Sequence, residues 1–449
     1  MSAPQGGSIC VVGTGYVGMA CLIGFAHLGH TVKGYDIVPE RIERLRAGVT
    51  PYREAGLEES LQQHLSTGGI SVFTSLAEAV AEVDFVVIAV GTPSLEDGSL
   101  DLRALDASFL ALSALDLRRK PSIVIRSTVP PGACDRLAQR HRGLGHILCA
   151  PEFLREGSAV ADFLNPDRII VGAAAPDVAR SYADLFASVD RPVIVTTRCN
   201  AELIKSLSNA YLALKVSFAN EVANICDTLG TPVDDVLLGI GADKRIGREF
   251  LRPGIGFGGP CFEKDVKGIV HFARRSGVEQ ELFSATLRVN ERQPYRVVEM
   301  LADRLGELRG REIGVWGLAF KAGTDDVRDS LAIRILWELS RRGATMRVYD
   351  PAVRLAELPH GATIVSSALA AAEADALLVL TEWPQFAAID PLEIRLRLRR
   401  GVVVDGRNIL DSHAYKKTGL DYRGVGRPML TGAYAPEEQP ETGALEEAL

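Results

Sequence analysis

Short apolar runs bounded by glycine alternate along the chain with stretches whose apolar residues recur every three or four positions. That alternation predicts parallel strands separated by helices. Residues 9–12 form an apolar run that enters Gly13-Thr14-Gly15-Tyr16-Val17-Gly18. A helical pattern follows to about Leu28, Gly29 ends it, and residues 31–35 read as a second strand closing on Asp36. Further buried strands are expected at 85–90, 123–127 and 169–171. Two of them run into the polar turns Val90-Gly91-Thr92-Pro93 and Ser127-Thr128-Val129-Pro130. Together these elements predict a parallel doubly wound sheet, with ligands outside the carboxyl ends of its strands.

From Asn200 to about Leu229 the chain holds no proline or glycine, and Leu203, Leu207, Ala210, Leu214, Phe218 and Val222 fit one helical stripe. A helix of that length suits a spine between domains or a dimer interface. A second strand–turn–helix–strand unit follows: strand 313–316, turn Gly317-Leu318-Ala319-Phe320-Lys321, helix 330–342, and strand 345–349 closing on Asp350. Residues 376–380 and 402–404 add two more strands. The expected fold is α/β, with two Rossmann-like doubly wound domains joined by a long central helix in a helical domain. The expected boundaries are 1–199, 200–300 and 301–428, with 429–449 a flexible acidic tail.

Composition narrows the class. The 449 residues are 47% hydrophobic and 24% charged, ordinary for a soluble globular protein with room for these domains. A formal charge of -7 and the lack of a long basic run argue against nucleic acid or an anionic membrane surface as partner. No apolar run is long enough to span a bilayer, and Met1 to Ser8 is short and polar, unlike a leader peptide. Seven scattered cysteines without a CxxC pair, and eight histidines without HExxH spacing, predict neither a disulfide framework nor a metal site. They suit a reducing cytoplasm.

The first strand, glycine turn, helix, second strand and Asp36 form a dinucleotide-binding fingerprint in its required context. Gly13 and Gly15 allow a tight turn and close approach of a pyrophosphate, and Gly18 allows helix–sheet packing. Asp36 would accept hydrogen bonds from the adenosine ribose and repel a 2′-phosphate, which favours NAD over NADP.

The densest chemistry lies in Gly256-Phe257-Gly258-Gly259-Pro260-Cys261-Phe262-Glu263-Lys264-Asp265. So few side chains let a substrate carbon approach the backbone. Pro260 fits the first position of a helix, which would put Cys261 in the first turn, where partial positive charge favours the thiolate. Asp265 would then share its face one turn on. That is a layout for an activated nucleophile with a polar assistant; the alternative is a glycine turn before a buried structural cysteine. Lys205 and Asn209 share a face of the long helix, as an oxyanion site needs, or are a solvated lysine and an asparagine bonded to the preceding turn. Glu152 and Glu156 have the same i,i+4 spacing and surface carboxylates as their alternative.

Several segments together resemble the UDP-glucose/GDP-mannose dehydrogenase family. They are the Gly13–Gly18 fingerprint, Ser127-Thr128-Val129-Pro130, Pro151-Glu152-Phe153-Leu154-Arg155-Glu156-Gly157 and Asn165-Pro166-Asp167-Arg168. Ala201-Glu202-Leu203-Ile204-Lys205, Asn209-Ala210, residues 215–221, the cysteine loop, Ala319-Phe320-Lys321 and Asp405-Gly406-Arg407 follow in the family's order. The resemblance implies a four-electron, NAD-dependent oxidation of the C6 alcohol of a nucleotide-bound hexose to its acid. Cys261 would carry a thiohemiacetal and then a thioester. UDP-glucose to UDP-glucuronate is the favoured reading. The same chemistry on dTDP-glucose, GDP-mannose or a UDP-N-acetylhexosamine remains open.

The resemblance also implies roles. Lys205 and Asn209 stabilise the developing oxyanion, Asp265 orients or activates water, and Thr128 and Glu152 position water and sugar, with Glu152 a candidate base for hydrolysis. Gly13, Gly15, Tyr16, Val17, Gly18, Asp36, Thr92, Thr128, Glu156 and Lys264 would face the cofactor. Phe153, Leu154, Lys205, Asn209, Phe250, Phe257, Gly258, Lys321 and Arg407 would surround the sugar nucleotide, joined by Arg245 from the neighbouring subunit of a homodimer. Two positions depart from the family. Pro260 stands where serine or histidine is usual, and Glu263 where proline or glutamine is usual. The missing histidine beside the cysteine favours a plain hexose over an acetamido sugar.

Overall fold

Central runs rich in valine and isoleucine become buried strands because helices cover both faces of each sheet there, whereas the edge run Val193–Thr196 stays partly exposed. The computed structural model describes residues 6–52, 54–354 and 357–427, so the tail expected at 429–449 lies outside the described residues. The first sheet contains β1 (Ser8–Val12), β2 (Thr31–Tyr35), β3 (Ile70–Phe73), β4 (Phe85–Ile88), β5 (Ser122–Ile125), β6 (Ile147–Cys149), β7 (Ile169–Gly172) and β8 (Val193–Thr196). Their order across the sheet is β3-β2-β1-β4-β5-β6-β7-β8. The second sheet contains β9 (Glu312–Trp316), β10 (Thr345–Tyr349), β11 (Ala362–Ile364), β12 (Ala376–Val379), β13 (Val402–Asp405) and β14 (Asp421–Gly424), in the order β11-β10-β9-β12-β13-β14.

Both are doubly wound, and in both the order reverses beside the first strand, β1 against β4 and β9 against β12. A crevice opens there outside the carboxyl ends, where such sheets bind ligands. One pairing departs from the parallel expectation: β6 meets β7 antiparallel, at the single pair Cys149↔Gly172. Strands expected to run to residues 90, 127 and 380 stop at Ile88, Ile125 and Val379, because the polar turns peel away before the apolar run ends. The unanticipated β3, β6, β8, β11 and β14 span three or four residues each, too short to show a period.

The long helix runs Arg198–Leu229. The Thr197 hydroxyl accepts from the Asn200 N–H at 3.2 Å as its N-cap, and Gly230, at φ 68°, closes it in the left-handed conformation. Ala201 packs into the first sheet's core, whereas Ala219, Ala223 and Cys226 pack into the second's, so one helix joins both. The expected stripe is corrected. The inward face carries small and polar residues such as Ala210, Ala213 and Ser217, while Leu207, Tyr211, Phe218, Ile225 and Leu229 are exposed. Small residues face inward because the Phe262–Arg275 and Leu282–Leu305 helices pack closely against this one.

Candidate active site

At the end of β1 the backbone reverses through Gly13, at φ 90°. A Cβ at Gly18 would run into the Gly13 carbonyl, so that glycine is needed for the helix to meet the strand. Gly15 differs: at φ -72° it is not strained, and a Cβ there would meet no atom within 4 Å. Its bareness serves something other than the chain's own packing, as an approaching pyrophosphate requires. The Tyr16–His27 helix follows directly, so its first N–H groups face the same space, with Val17 in that turn. Asp36 closes the cradle. Its Oδ2 accepts from the Thr14 N–H (2.8 Å) and hydroxyl (3.0 Å) and from Arg41 Nη1 (2.8 Å). Burial alone would raise its pKa; the Thr14 and Val38 N–H groups, Arg41 and the Thr14 hydroxyl more than offset this and lower it. A fixed carboxylate beside the Gly-rich turn fits a dinucleotide with a free ribose 2′-hydroxyl.

The polar turns after β4 and β5 line the same crevice and are tied together: the Thr92 hydroxyl donates to the Thr128 carbonyl at 2.8 Å, and Ser127 Oγ to the Val90 carbonyl at 2.7 Å. Across from them lies a compact polar cluster. Lys205 Nζ meets Glu152 Oε1 at 2.9 Å, and the other Glu152 oxygen accepts from the Leu154 N–H at 2.7 Å. Asn209 Nδ2 donates to Asp265 Oδ2 at 2.6 Å, and Lys264 Nζ to Asp265 Oδ1 at 2.7 Å. Lys205, Asn209, Glu152 and Asp265 are all buried. Glu152 and Glu156 sit on an irregular loop, not on a helix, and Glu152 is no surface carboxylate. Burial opposes the Lys205 charge, but the Glu152 and Asp265 carboxylates lead the groups that outweigh it and raise the pKa, so the ammonium is retained.

Cys261 corrects the expectation at two points. The helix begins at Phe262, with Cys261 as its N-cap and Pro260 outside, so neither occupies the first turn. Gly259, at φ 83° and with the Phe320 ring 2.6 Å from where its Cβ would lie, keeps the chain out of helical conformation until then. Nor does the site favour the thiolate. Cys261 opens onto the cleft, yet protein crowds the sulfur, and burial together with Asp265 and Glu152 pushes its pKa up to about 11 despite Lys205 and Lys264. The Asp265 N–H donates to the Cys261 carbonyl at 2.9 Å, which keeps the two residues one turn apart as expected.

The remaining cysteine loop is held by residues that sequence reasoning missed. Asn290 brackets Phe257, its Oδ1 accepting from the Phe257 N–H at 2.7 Å and its Nδ2 donating to the Phe257 carbonyl at 2.9 Å. Gly258 lies where a Cβ would come within 2.7 Å of the Asp329 carbonyl oxygen. Phe250 adopts φ 64°, a strained value for a bulky residue, with its ring 6.0 Å from that of Phe262. From the second sheet, Arg407 donates to the carbonyls of Leu380 (2.8 Å), Phe320 (3.1 Å) and Gly256 (3.4 Å).

Two more contacts cross the cleft. Lys321 donates to the Glu156 carbonyl, and Thr324 Oγ1 to Glu156 Oε1 at 2.5 Å. Glu156 and Lys264 are therefore engaged with protein in this structure, by Thr324 and Asp265. Tyr16 reaches the Arg155 carbonyl. Phe153 lies beneath Lys205, whose Nζ is 5.5 Å from the ring centroid, and Arg168 stacks on that ring at 4.0 Å. Arg245 is not brought to the cluster: it is exposed and forks onto Asp243, at 3.0 and 2.6 Å. Asn290, Thr324 and Arg168 carry no local signal of their roles, since each acts on a residue distant in sequence or on one ring face. Among the described residues no group of three metal-ligating side chains gathers, and no helix is long and apolar enough to cross a membrane.

Comparison with known proteins places most of the chain in one family. Three family models match in succession: the UDP-glucose/GDP-mannose dehydrogenase family NAD binding domain over residues 7–190, its central domain over 199–292 and its UDP binding domain over 314–412. A UDP-glucose 6-dehydrogenase of Pseudomonas aeruginosa is 39% identical over 446 residues, covering 94% of this chain and 97% of that protein. A UDP-glucose dehydrogenase structure from Pyrobaculum islandicum is similar at TM-score 0.88 and 41% identity, over 95% of this chain and 99% of that one. A UDP-D-ManNAc dehydrogenase structure from Pyrococcus horikoshii matches at TM-score 0.84 and 28% identity, over 94% and 99%.

Proposed function

The chain belongs to the UDP-glucose/GDP-mannose dehydrogenase family, and from that premise we propose that it oxidises the C6 alcohol of UDP-glucose to UDP-glucuronate with NAD. The observation that carries this reading is the buried Lys205–Glu152 pair facing Cys261 beside the Asn209–Asp265 bond. UDP-glucose is chosen because the relatives and structure of higher identity bear that substrate in their names, above the acetamido-sugar enzyme.

Bound NAD supplies the hydride acceptor for two oxidations, so that alcohol, water and two NAD⁺ yield carboxylate, two NADH and three protons. The chain's own residues do the rest. Once the aldehyde has formed, the Cys261 sulfur adds to its carbon, the thiol proton leaves, and the carbonyl oxygen becomes a hydroxyl. Loss of hydride from that carbon and of the hydroxyl proton leaves a thioester, which water cleaves to the acid and the free thiol. Because the resting sulfur is a thiol, its proton must leave as the bond forms, and Asp265 is the carboxylate one turn away. Lys205, retained as an ammonium, is suited to stabilise the oxyanion and not to act as a base, which disfavours a two-electron mechanism with lysine as base. Asn209 adds an amide donor. Thr128 and Glu152 position water and the sugar, and Glu152 takes the proton of the hydrolytic water.

Phe153, Leu154, Phe250, Phe257, Gly258, Lys321 and Arg407 line the sugar-nucleotide cleft in this reading. The exposed apolar face of the long helix pairs two chains, and Arg245 reaches the partner's substrate. Seven free cysteines suit the cytoplasm. The domains are the Rossmann unit to 199, the central unit 200–300 and the unit from 301. The test counts NADH per sugar consumed, with limiting UDP-glucose, dTDP-glucose, UDP-N-acetylglucosamine or GDP-mannose. Two NADH per UDP-glucose, with that sugar fastest, is expected; one NADH with free aldehyde would overturn the covalent mechanism.

A further inference from the structure

Arg126 follows β5 directly, and its N–H donates to the Ile88 carbonyl at 2.9 Å. The side chain turns into the apolar layer beneath the Tyr16–His27 helix, with the guanidinium 5.7 Å from the Phe163 ring centroid and the residue 7% exposed. A cation so placed is unusual unless something requires it. Burial opposes its charge, and Cys21, Tyr182 and then Glu152 favour it, Glu152 being the one carboxylate among them. Nη1 donates to the backbone carbonyls of Ala150 (3.1 Å) and Pro151 (3.2 Å), and the Cys21 sulfur is a further hydrogen-bond neighbour of the guanidinium. Nε has no partner among the described residues.

The irregular sheet explains why those carbonyls need a donor. Pairing of β5 with β6 ends at Ile125↔Cys149, and β6 meets β7 only through Cys149. Ala150 still donates its N–H to Ile125 at 3.0 Å, but beyond it the chain leaves the sheet. No strand N–H then faces the carbonyls of Ala150 and Pro151, which Arg126 satisfies from below. The next residue is Glu152, whose two oxygens are committed to Lys205 and to the Leu154 N–H. A shift in Pro151 moves that carboxylate directly.

We propose that Arg126 is a positioning residue for the hydrolytic step: by clamping the Ala150 and Pro151 carbonyls it sets the Glu152 carboxylate where it takes a proton from the water attacking the Cys261 thioester. The inference rests on the role given to Glu152 above. It predicts a defect weighted to hydrolysis, because that step needs the Glu152 carboxylate as its base, whereas the oxidations need it only as the partner of Lys205.

The test compares the unaltered enzyme with R126M, R126K and E152Q, each mixed with NAD and UDP-glucose. Steady-state turnover is followed together with intact-mass detection of acylated Cys261. For R126M, kcat should fall about 10- to 100-fold, the effect of a small misplacement near the chemistry. Its KM for NAD should stay within about twofold, since Glu152 is placed on the sugar and water and not in the dinucleotide cradle. An NADH burst should precede slow turnover, and the acyl-enzyme should accumulate as it does in E152Q. R126K keeps the charge but lacks the planar fork, so it should show the same trapped species at a smaller loss of kcat. If R126M does not fold, R126K carries the test alone. Trapped acyl-enzyme in E152Q with none in either Arg126 variant overturns the proposal and leaves the reading of Glu152 standing. A loss confined to KM or melting temperature overturns it likewise. Absence of acyl-enzyme in E152Q itself removes the role of Glu152, and the proposal falls with it.

Discussion

At Cys261 the surroundings oppose each other: two ammonium groups favour the thiolate, whereas burial and two carboxylates favour the thiol and prevail. With its pKa pushed up to about 11, the sulfur is overwhelmingly a thiol at neutral pH. The resting enzyme is therefore protected from adventitious alkylation and oxidation, which act on the thiolate. Inactivation by iodoacetamide should be slow at neutral pH and climb about tenfold per pH unit without levelling below pH 10. A plateau near pH 8 would mean that Lys205 and Lys264 win after all. The same balance has a stability consequence. Because the folded pKa lies above the ordinary 9.0, this thiol's contribution to stability is complete below pH 9 and is lost as pH rises through about 11. C261A should therefore melt with a shallower alkaline slope than the unaltered protein between pH 9 and 11. Equal slopes in calorimetry would count against the raised pKa.

The elements separate glycines that serve the fold from one that serves a ligand. Gly18 meets the Gly13 carbonyl and Gly259 meets the Phe320 ring, so alanine at either must displace its neighbours, whereas alanine at Gly15 meets nothing. G15A should keep its melting temperature and bind NAD at least tenfold more weakly by calorimetric titration. G259A, strained at φ 83° and overpacked, should lose about 1–3 kcal/mol of stability in denaturant unfolding and turn over slowly. A G15A variant that melts early and still binds NAD would reverse this assignment. The contrast also marks how far the chain was legible. The strand–glycine–helix–strand–acid order and the two doubly wound units could be read because they rest on local period and turn residues. The buried polar cluster was found through motif resemblance, since Lys205 and Asn209 on one helical face do not reveal that Glu152 and Asp265 meet them. The N-cap position of Cys261 was hidden, because a ring from the second sheet sets the conformation of Gly259. Arg126 was passed over because it falls inside the expected strand 123–127, where nothing local shows that its side chain reaches the Ala150 and Pro151 carbonyls.

The same limit governs the whole molecule. Periodicity placed apolar residues on the long helix without telling which face meets the protein's own core. Leu207, Tyr211, Phe218, Ile225 and Leu229 recur at spacings of four and seven residues and remain exposed, an arrangement that a second copy would bury by twofold symmetry. Replacing Phe218 and Ile225 by glutamate should convert a dimer into a monomer in sedimentation; an unchanged mass would place the interface elsewhere. A twofold dimer makes a sharper demand if Arg245 serves the neighbouring site. C261S has no nucleophile in its own site but can still lend Arg245, and R245A has the reverse defect. A heterodimer of the two then holds one site lacking both residues and one that is whole. Refolding equal amounts of the variants together makes half of the dimers mixed, so activity should recover to about a quarter of the unaltered enzyme's from two nearly inactive parents. If Arg245 serves its own chain, neither site of the mixed dimer is whole and mixing restores nothing.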